Sequence, residues 1–268
     1  MGDAKRLIVK PISVQDAKRI VKGLHYSGKV DPRSQVNLGV FLDGRCGGAM
    51  QFGPSVNKHA SRNLVQGAGW NDWLELHRMA FADWLPRNGE SRAIGFAMRM
   101  IRDTYPHIRW VVSYADGTQC GDGTIYRASG FVLTDIKKNS SMWKMPDGEV
   151  VCSLVFNPGF GVRKTGMDNG IKKRYGKTGS EASSSFLRRI GAIPLKGFQL
   201  RYIYFIDPTA RERLTVPEIP FSEIQRRGAG MYLGKPSVRS VDSDTSANHA
   251  EEGGATPTRT LLSSEGDQ

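Results

Sequence analysis

Residues 108–131 read IRWVVSYADGTQCGDGTIYRASGF. Ile108 to Tyr114 is a mostly apolar, β-branched run, the composition of a strand covered on both faces. Asp116 stands just past its end, and Gly117, Gly121 and Gly123 turn the chain after it. Thr124 to Ser129 has the length of one short helix, with Gly130 as its C-terminal cap. Phe131 to Ile136 resumes as a strand. Strand, turn, helix and strand in this order make an α/β unit, and open α/β sheets place ligands beyond the C-terminal ends of their strands. Asp116 and the helix that follows therefore lie at the end of the sheet where chemistry is expected. Gly121-Asp122-Gly123 resembles half a dinucleotide fingerprint, but the third Gly is missing and no long helix follows, so a Rossmann reading is rejected.

The flanking sequence extends the same pattern. Arg6 to Ile12 is a short β-like run, and Ser13-Val14-Gln15-Asp16 reads as a capping box with Asp in its third position. Ala17, Ile20, Val21 and Leu24 form one apolar helical face, closed by Gly23 and Gly28. Val36–Leu42 and Cys46–Phe52 read as strands joined by an Asp43-Gly44 turn. Trp73 to Phe81 (WLELHRMAF) alternates apolar with polar around a bulge at His77/Arg78. After the turn Asn88-Gly89-Glu90-Ser91, Ile94, Ala97, Met98 and Ile101 share a helical face, stopped by Pro106. Val150 to Phe156 is expected to finish the sheet, and Gln199 to Ile206 alternates like a further strand. The chain is therefore α/β: a mixed twisted sheet with flanking helices, hairpins early and crossover helices late.

Of 268 residues, 39% are hydrophobic and 24% charged, enough apolar material for a core, which excludes full-length disorder. No stretch approaches the ~18 apolar residues of a membrane span, and a secretory signal is not expected at the N-terminus. Cys46, Cys120 and Cys152 form no CxxC pair, which fits a reducing cytoplasm better than a disulfide framework. The net charge is +12, and it is unevenly placed. Residues 235–268 are net negative, contain no Phe, Trp or Tyr, and are expected to be a disordered tail. Residues 159–201 hold ten Lys or Arg against Asp168 and Glu181. A basic body of this kind fits a polyanionic partner, with solubility charge as the bland alternative. Lys172, Lys173, Arg174, Arg188 and Arg189, with Phe186, Phe198, Tyr202 and Tyr204 nearby, are the candidate DNA contacts: cations for phosphate and rings for a displaced base. A merely solvated charged face is the competing reading.

Two resemblances sharpen this. Ile125-Tyr126-Arg127-Ala128-Ser129-Gly130-Phe131, after a strand and a Gly-rich turn, resembles the GNAT acyltransferase fold, whose late helix aims a Tyr at the donor thioester. His25-Tyr26-Ser27-Gly28-Lys29, Leu74 to Phe81, Pro86 to Ser91 and Ser113 to Gly121 together look like the Mom family of bacteriophage DNA-modification proteins, from about residue 7 to 157 and more weakly to about 215. The resemblance implies a GNAT-like catalytic domain over 1–157, a basic extension packed on it over 158–234, and the tail over 235–268. It implies attachment of a methylcarbamoyl (acetamido) type group to the exocyclic amine of adenine in double-stranded DNA, protecting phage DNA from host restriction in the bacterial cytoplasm. Acetyl-CoA or a related acyl donor is the implied cofactor, and iron a further one. Membrane is not a partner, and oligomeric state, a homodimer included, is left open.

The chemistry of that task assigns candidates. The adenine amine is a weak nucleophile that needs proton removal and a polarised electrophile, and its place in the duplex requires base flipping. Tyr126 is the candidate to protonate a departing thiolate, or a core tyrosine on a short helix. Asp116 is the candidate base or orienter of the base, or a solvated turn residue. His25, with Tyr26, closes the first helix and could take the proton, or satisfy a helix-end carbonyl. His25, Tyr26, Asp116 and Tyr126 are the oxygen and nitrogen donors that could meet around ferric iron. Arg78 lies on the strand that GNAT relatives splay to receive the pantetheine arm, and is expected to pair with an acidic residue. Arg87, Asn88, Gly89, Ser91 and Arg92 occupy the place of the pyrophosphate loop, but Glu90 stands where a Gly belongs, which weakens standard coenzyme A binding unless Ser91 and Arg92 compensate. Two other readings stand beside the leading one: an N-acetyltransferase of protein or small-molecule amines, and a non-catalytic basic DNA-binding protein.

Overall fold

Capping and periodicity act first at the local level. In the computed structural model, which describes residues 3–157, 170–232 and 235–236, strand β1 (Ile8–Pro11) leads into helix α1 (Val14–Leu24). The Ser13 hydroxyl accepts the Asp16 N–H at 3.0 Å, satisfying one of the otherwise unpaired first-turn donors. β2 (Val36–Leu42) and β3 (Arg45–Gly53) form a hairpin through Asp43 (φ 50°) and Gly44 (φ 80°). Positive φ at both positions gives the turn whose twist matches the strands. A short helix α2 (Lys58–Arg62) precedes β4 (Trp73–Phe81). Then come helix α3 (Gly89–Thr104), β5 (Trp110–Asp116), helix α4 (Thr124–Ala128) and β6 (Val132–Lys138).

The expected bulge is present. Arg78 pairs with Gln51 and Leu76 with Phe52, so His77 is the extra residue of β4. Helices cover both faces of the sheet. α1 packs Val21 against Ala49 and Ala80 on one face. On the other, α3 buries Ala93, Ile94, Ala97, Met98 and Ile101 against Met50, Phe52, Leu76 and Val111. The predicted face of α3 is thus the buried one, and each fully buried Ile is worth roughly 1.5–3 kcal/mol.

One strand sits where the sequence order does not place it. After β7 (Met142–Lys144), β8 (Val150–Cys152) and β9 (Ile193–Pro194), β10 (Phe198–Phe205) inserts between β5 and β6, antiparallel to both. The main sheet has the order β1-β2-β3-β4-β5-β10-β6. Val150–Cys152 does not complete it, contrary to expectation. Its turn, with Gly148 at φ 88°, closes a local hairpin with β7, joined by β9 into a separate three-stranded sheet. Ser153–Phe156 is a 3₁₀ turn. A satellite core of Trp143, Val151, Phe156, Ile171, Phe186 and Leu187 packs this sheet with the helices Gly170–Arg174 and Ser183–Arg189. The mixed α/β sheet with flanking helices is as expected. The proposed tail lies outside the described residues except for Lys235–Pro236, which pair with Met231–Tyr232.

Candidate active site

β4 and β5 are parallel neighbours for three residues only, Trp73–Glu75 against Trp110–Val112. Beyond Glu75, β4 continues with β3, while β5 continues with β10 from Ser113↔Tyr202 to Asp116↔Gln199. The two strands part, and the opening lies at their C-terminal ends. This is the splay expected on Arg78's strand.

α4 delivers Tyr126 to that opening. Gly123, in the left-handed region at φ 83°, starts the helix, and a Cβ there would lie 2.5 Å from the Tyr202 ring. Gly130, at φ 82°, follows its end. The Tyr126 ring packs on Phe131 and Tyr202, each at 5.2 Å between centroids. Burial pushes its phenol up to about 12, with the Ser113 hydroxyl and the Arg78 charge pulling the other way. The Ser113 Oγ is itself buried, with the Tyr126 phenol as the polar group that faces it.

The Tyr26 ring packs against the His25 ring, tilted by 32°, at 4.2 Å between centroids. Half of its surface is exposed (49%), but its hydroxyl end is crowded by protein. Burial raises its pKa most, the charges of Asp116 and Cys120 add to that, and Arg78 opposes it. Tyr26, Asp116, Cys120, Tyr126 and Arg78 therefore share one electrostatic neighbourhood. His25 joins it through Arg78: burial, then the Arg78 charge, lowers its pKa to about 4. The backbone N–H of Ser27 points at His25 Nδ1 at 3.2 Å, with the Ser27 hydroxyl at 2.8 Å. A backbone N–H only donates, so Nδ1 accepts and the proton of the neutral ring is assigned to Nε2. In this tautomer His25 offers a donor at Nε2, not the acceptor that proton removal needs.

The Asp116 carboxylate is held by its own turn. It accepts the Thr118 N–H at 3.0 Å, the Gln119 amide at 3.0 Å and the Asn139 amide at 3.3 Å. Arg78 donates to the carbonyls of Lys29 (2.9 Å) and His77 (2.6 Å), rather than to the expected carboxylate. The iron expectation stands without a supporting cluster. Among the described residues no three His, Cys, Asp or Glu side chains gather to hold a metal ion. This arrangement gives iron no support, and no step below uses it.

At the start of α3, Asn88 is left-handed (φ 64°) and makes no side-chain cap. The Ser91 hydroxyl donates to the Asn88 carbonyl at 3.2 Å, and Arg92 donates to the Lys5 carbonyl at 3.4 Å and sits over Phe96. Both residues expected to compensate for Glu90 are thus engaged elsewhere. Arg87 is exposed and Gly89 buried. In the basic segment, Arg174 pairs with Glu149, and Arg189 donates twice to Glu181 at 3.2 and 2.8 Å. Lys172 bonds the Asn157 carbonyl, Arg188 lies over the Trp143 ring, and Lys173 is exposed. Phe186 and Tyr202 are fully buried, so neither ring is available to stack on a base, a correction to that expectation.

Sequence reading missed a buried polar group on β4. The His77 side chain is wholly buried, bonded to Ser34 Oγ (3.0 Å) and the Pro54 carbonyl (2.9 Å), 3.8 Å from Asp31. Glu75 is also buried; desolvation raises its pKa, and it accepts the Val56 N–H at 3.2 Å. Charged residues in the middle of a strand whose Leu74 and Leu76 are also buried were the available signal.

The chain matches the Mom protein family over residues 6–223. The methylcarbamoylase Mom of Escherichia phage Mu is 34% identical over 212 residues, covering 79% of this chain and 80% of that one. Among solved structures, the ribosomal-protein-S18-alanine N-acetyltransferase of Escherichia coli aligns at a TM-score of 0.40 and 11% identity, covering 75% of this chain and 94% of that one. An N-acetyltransferase from Staphylococcus aureus aligns at 0.40 and 7% identity, covering 75% and 99%. With most of its length matched in sequence, and with the quoted strings around His25, Arg78 and Asp116 inside the match, the chain belongs to the Mom protein family.

Proposed function

We propose that this protein is a phage DNA-modification enzyme, attaching a methylcarbamoyl (acetamido) type group to the exocyclic amine of adenine in double-stranded DNA and so protecting it from host restriction enzymes. It would act in the cytoplasm of a bacterial host. The observation that carries the reading is the family membership of a chain whose Tyr26, Asp116, Tyr126 and Arg78 share one neighbourhood where β4 and β5 part.

This neighbourhood supports the following roles. A bond forms between the adenine nitrogen and the transferred carbon, the bond from that carbon to the donor's leaving group breaks with its electron pair going to the leaving group, and the nitrogen loses a proton to a base. Asp116, whose charge acts on Tyr26, is the proton acceptor. Tyr126 holds its proton at about 12, whereas a thiol leaving group has a pKa of ~8.5, so outright transfer is uphill. Its role is a hydrogen-bond donor to the electrophile or departing group, preorganised by packing on Phe131 and Tyr202. Arg78 keeps positive charge beside the developing negative charge. An acyl donor related to acetyl-CoA would enter between the strands, its phosphates at the start of α3, with Arg87 the exposed cation there. Lys172, Lys173, Arg174, Arg188 and Arg189 would hold the DNA backbone.

Nucleoside mass spectrometry of DNA from cells expressing the protein tests this. Wild type is expected to yield modified adenine, and Tyr126→Phe to reduce it ~100-fold while duplex binding persists. Soluble wild-type protein with only unmodified adenine would sink the reading. Loss of duplex binding in Tyr126→Phe would remove the catalytic role of the phenol.

A further inference from the structure

Away from the reaction cleft, at the N-terminal ends of β4 and β5, lies a cavity of about 380 Å³. Trp73, Leu74 and Ile108 form part of its wall. It shares Gln35, Val36 and Tyr105 with a second cavity of about 310 Å³ beside β2 and α3, so the two adjoin. Six residues of β5, ~20 Å of extended strand, separate this end from Asp116.

Its lining has a definite chemistry. Trp70, Tyr105 and His107 supply rings, Gln35 and Asn71 amides, and Lys58 a cation. Among the described residues, neither cavity is lined by an Asp or Glu. Trp70 is 45% exposed yet firmly held. The His59 ring meets its edge at 4.9 Å, and the Arg62 guanidinium sits 4.7 Å from its centroid. Arg62 is anchored in turn by donating to the Ala68 carbonyl at 2.8 Å, and the Gly69 N–H is fixed on the Asp72 carboxylate at 2.8 Å. An indole fixed in this way loses little freedom when a flat ring stacks on it. Amides present both donors and acceptors to a ring edge, and the Lys58 ammonium attracts an anion.

We propose that this groove is a second binding site, for a nucleotide unit: a heteroaromatic base stacked on Trp70, with its phosphate at Lys58. It stands whether or not the distal cleft modifies DNA. The unit comes either from a nucleic-acid strand or from a free nucleotide.

The test uses the full chain, a fluorescently labelled 12-nucleotide DNA single strand carrying 5-iodouracil, and deoxyadenosine monophosphate as competitor. Photo-crosslinks are expected on the peptides containing Trp70, Tyr105 or His107. Trp70→Ala is expected to weaken strand binding about tenfold, the effect of losing one stacked base, and Trp70→Phe to restore most of it. Competition by the mononucleotide at millimolar concentration assigns the site to free nucleotides, and crosslinking without competition assigns it to the strand; both support the site. Crosslinks confined to residues 170–201, with Trp70→Ala binding as wild type, overturn it.

Discussion

Tyr126 and His25 show how burial sets what a side chain can do. A phenol held near 12 donates a hydrogen bond throughout the physiological range, so the activity that depends on it is expected not to follow its ionisation. His25 carries a sign that can be checked. Its folded pKa, about 4, lies below its ordinary value of 6.5, so the folded chain binds fewer protons than the unfolded one between those limits. The stabilisation is complete above pH 6.5 and is lost as pH falls toward 4. By pH 5 the loss is on the order of 2 kcal/mol. Urea midpoints at pH 7 and pH 5 should therefore fall further apart for wild type than for His25→Asn, which still offers an acceptor to the Ser27 N–H. Equal shifts in both proteins would show that His25 is not the titrating group. Asp116 calls for a different substitution. Removing its carboxylate by Asp116→Ala strands the Thr118 and Gln119 donors and costs roughly 1–3 kcal/mol of fold, confusing stability with chemistry. Asp116→Asn keeps an acceptor in the turn, and is expected to retain its melting temperature within a few degrees while losing modified adenine.

Among elements, α4 depends most on a single backbone position. Gly123→Ala must bring a left-handed residue into contact with the Tyr202 ring, whereas Gly130→Ala meets nothing closer than 3.7 Å. Both bear a backbone cost of about 1 kcal/mol, but Gly123→Ala adds displacement of a fully buried ring. Thermal melts should rank Gly123→Ala well below Gly130→Ala. Equal melting temperatures would mean that Tyr202 yields freely. The local devices of the fold were readable from residues alone: the Ser13 cap, the Asp43-Gly44 turn, the His77 bulge and the buried face of α3. Each depends on neighbours within a few positions. The insertion of β10 was not readable, because alternation in Gln199–Ile206 identifies a strand without naming its partners. Val150–Cys152 looked like a sheet strand for the same reason, and proximity to Gly148 gave it to a local hairpin instead. At the site, the sequence could bring candidates to one end of the sheet, but the carbonyl partners of Arg78 and the hydrogen bonds of Ser27 to His25 depend on loop paths that no spacing encodes.

At the scale of the whole molecule, charge and connectivity govern. Of the expected phosphate contacts, Arg174 and Arg189 already face Glu149 and Glu181, while Lys173 is exposed. Lys173→Ala is expected to reduce the slope of log affinity for duplex DNA against log salt by ~0.9, one phosphate contact. Arg189→Ala should change it less, because the ion pair leaves little charge to release. A larger effect of Arg189→Ala would mean that Glu181 gives it up to DNA. β10 has a consequence in time as well as in space. Translation delivers β5 and β6 long before Phe198–Phe205, so the facing edges of both wait, with their backbone donors and acceptors unpaired, while nearly the whole basic segment is still being synthesised. Assembly of this sheet is a late event in the birth of the chain, and a ribosome stalled before residue 198 presents the cell with an open, adhesive intermediate.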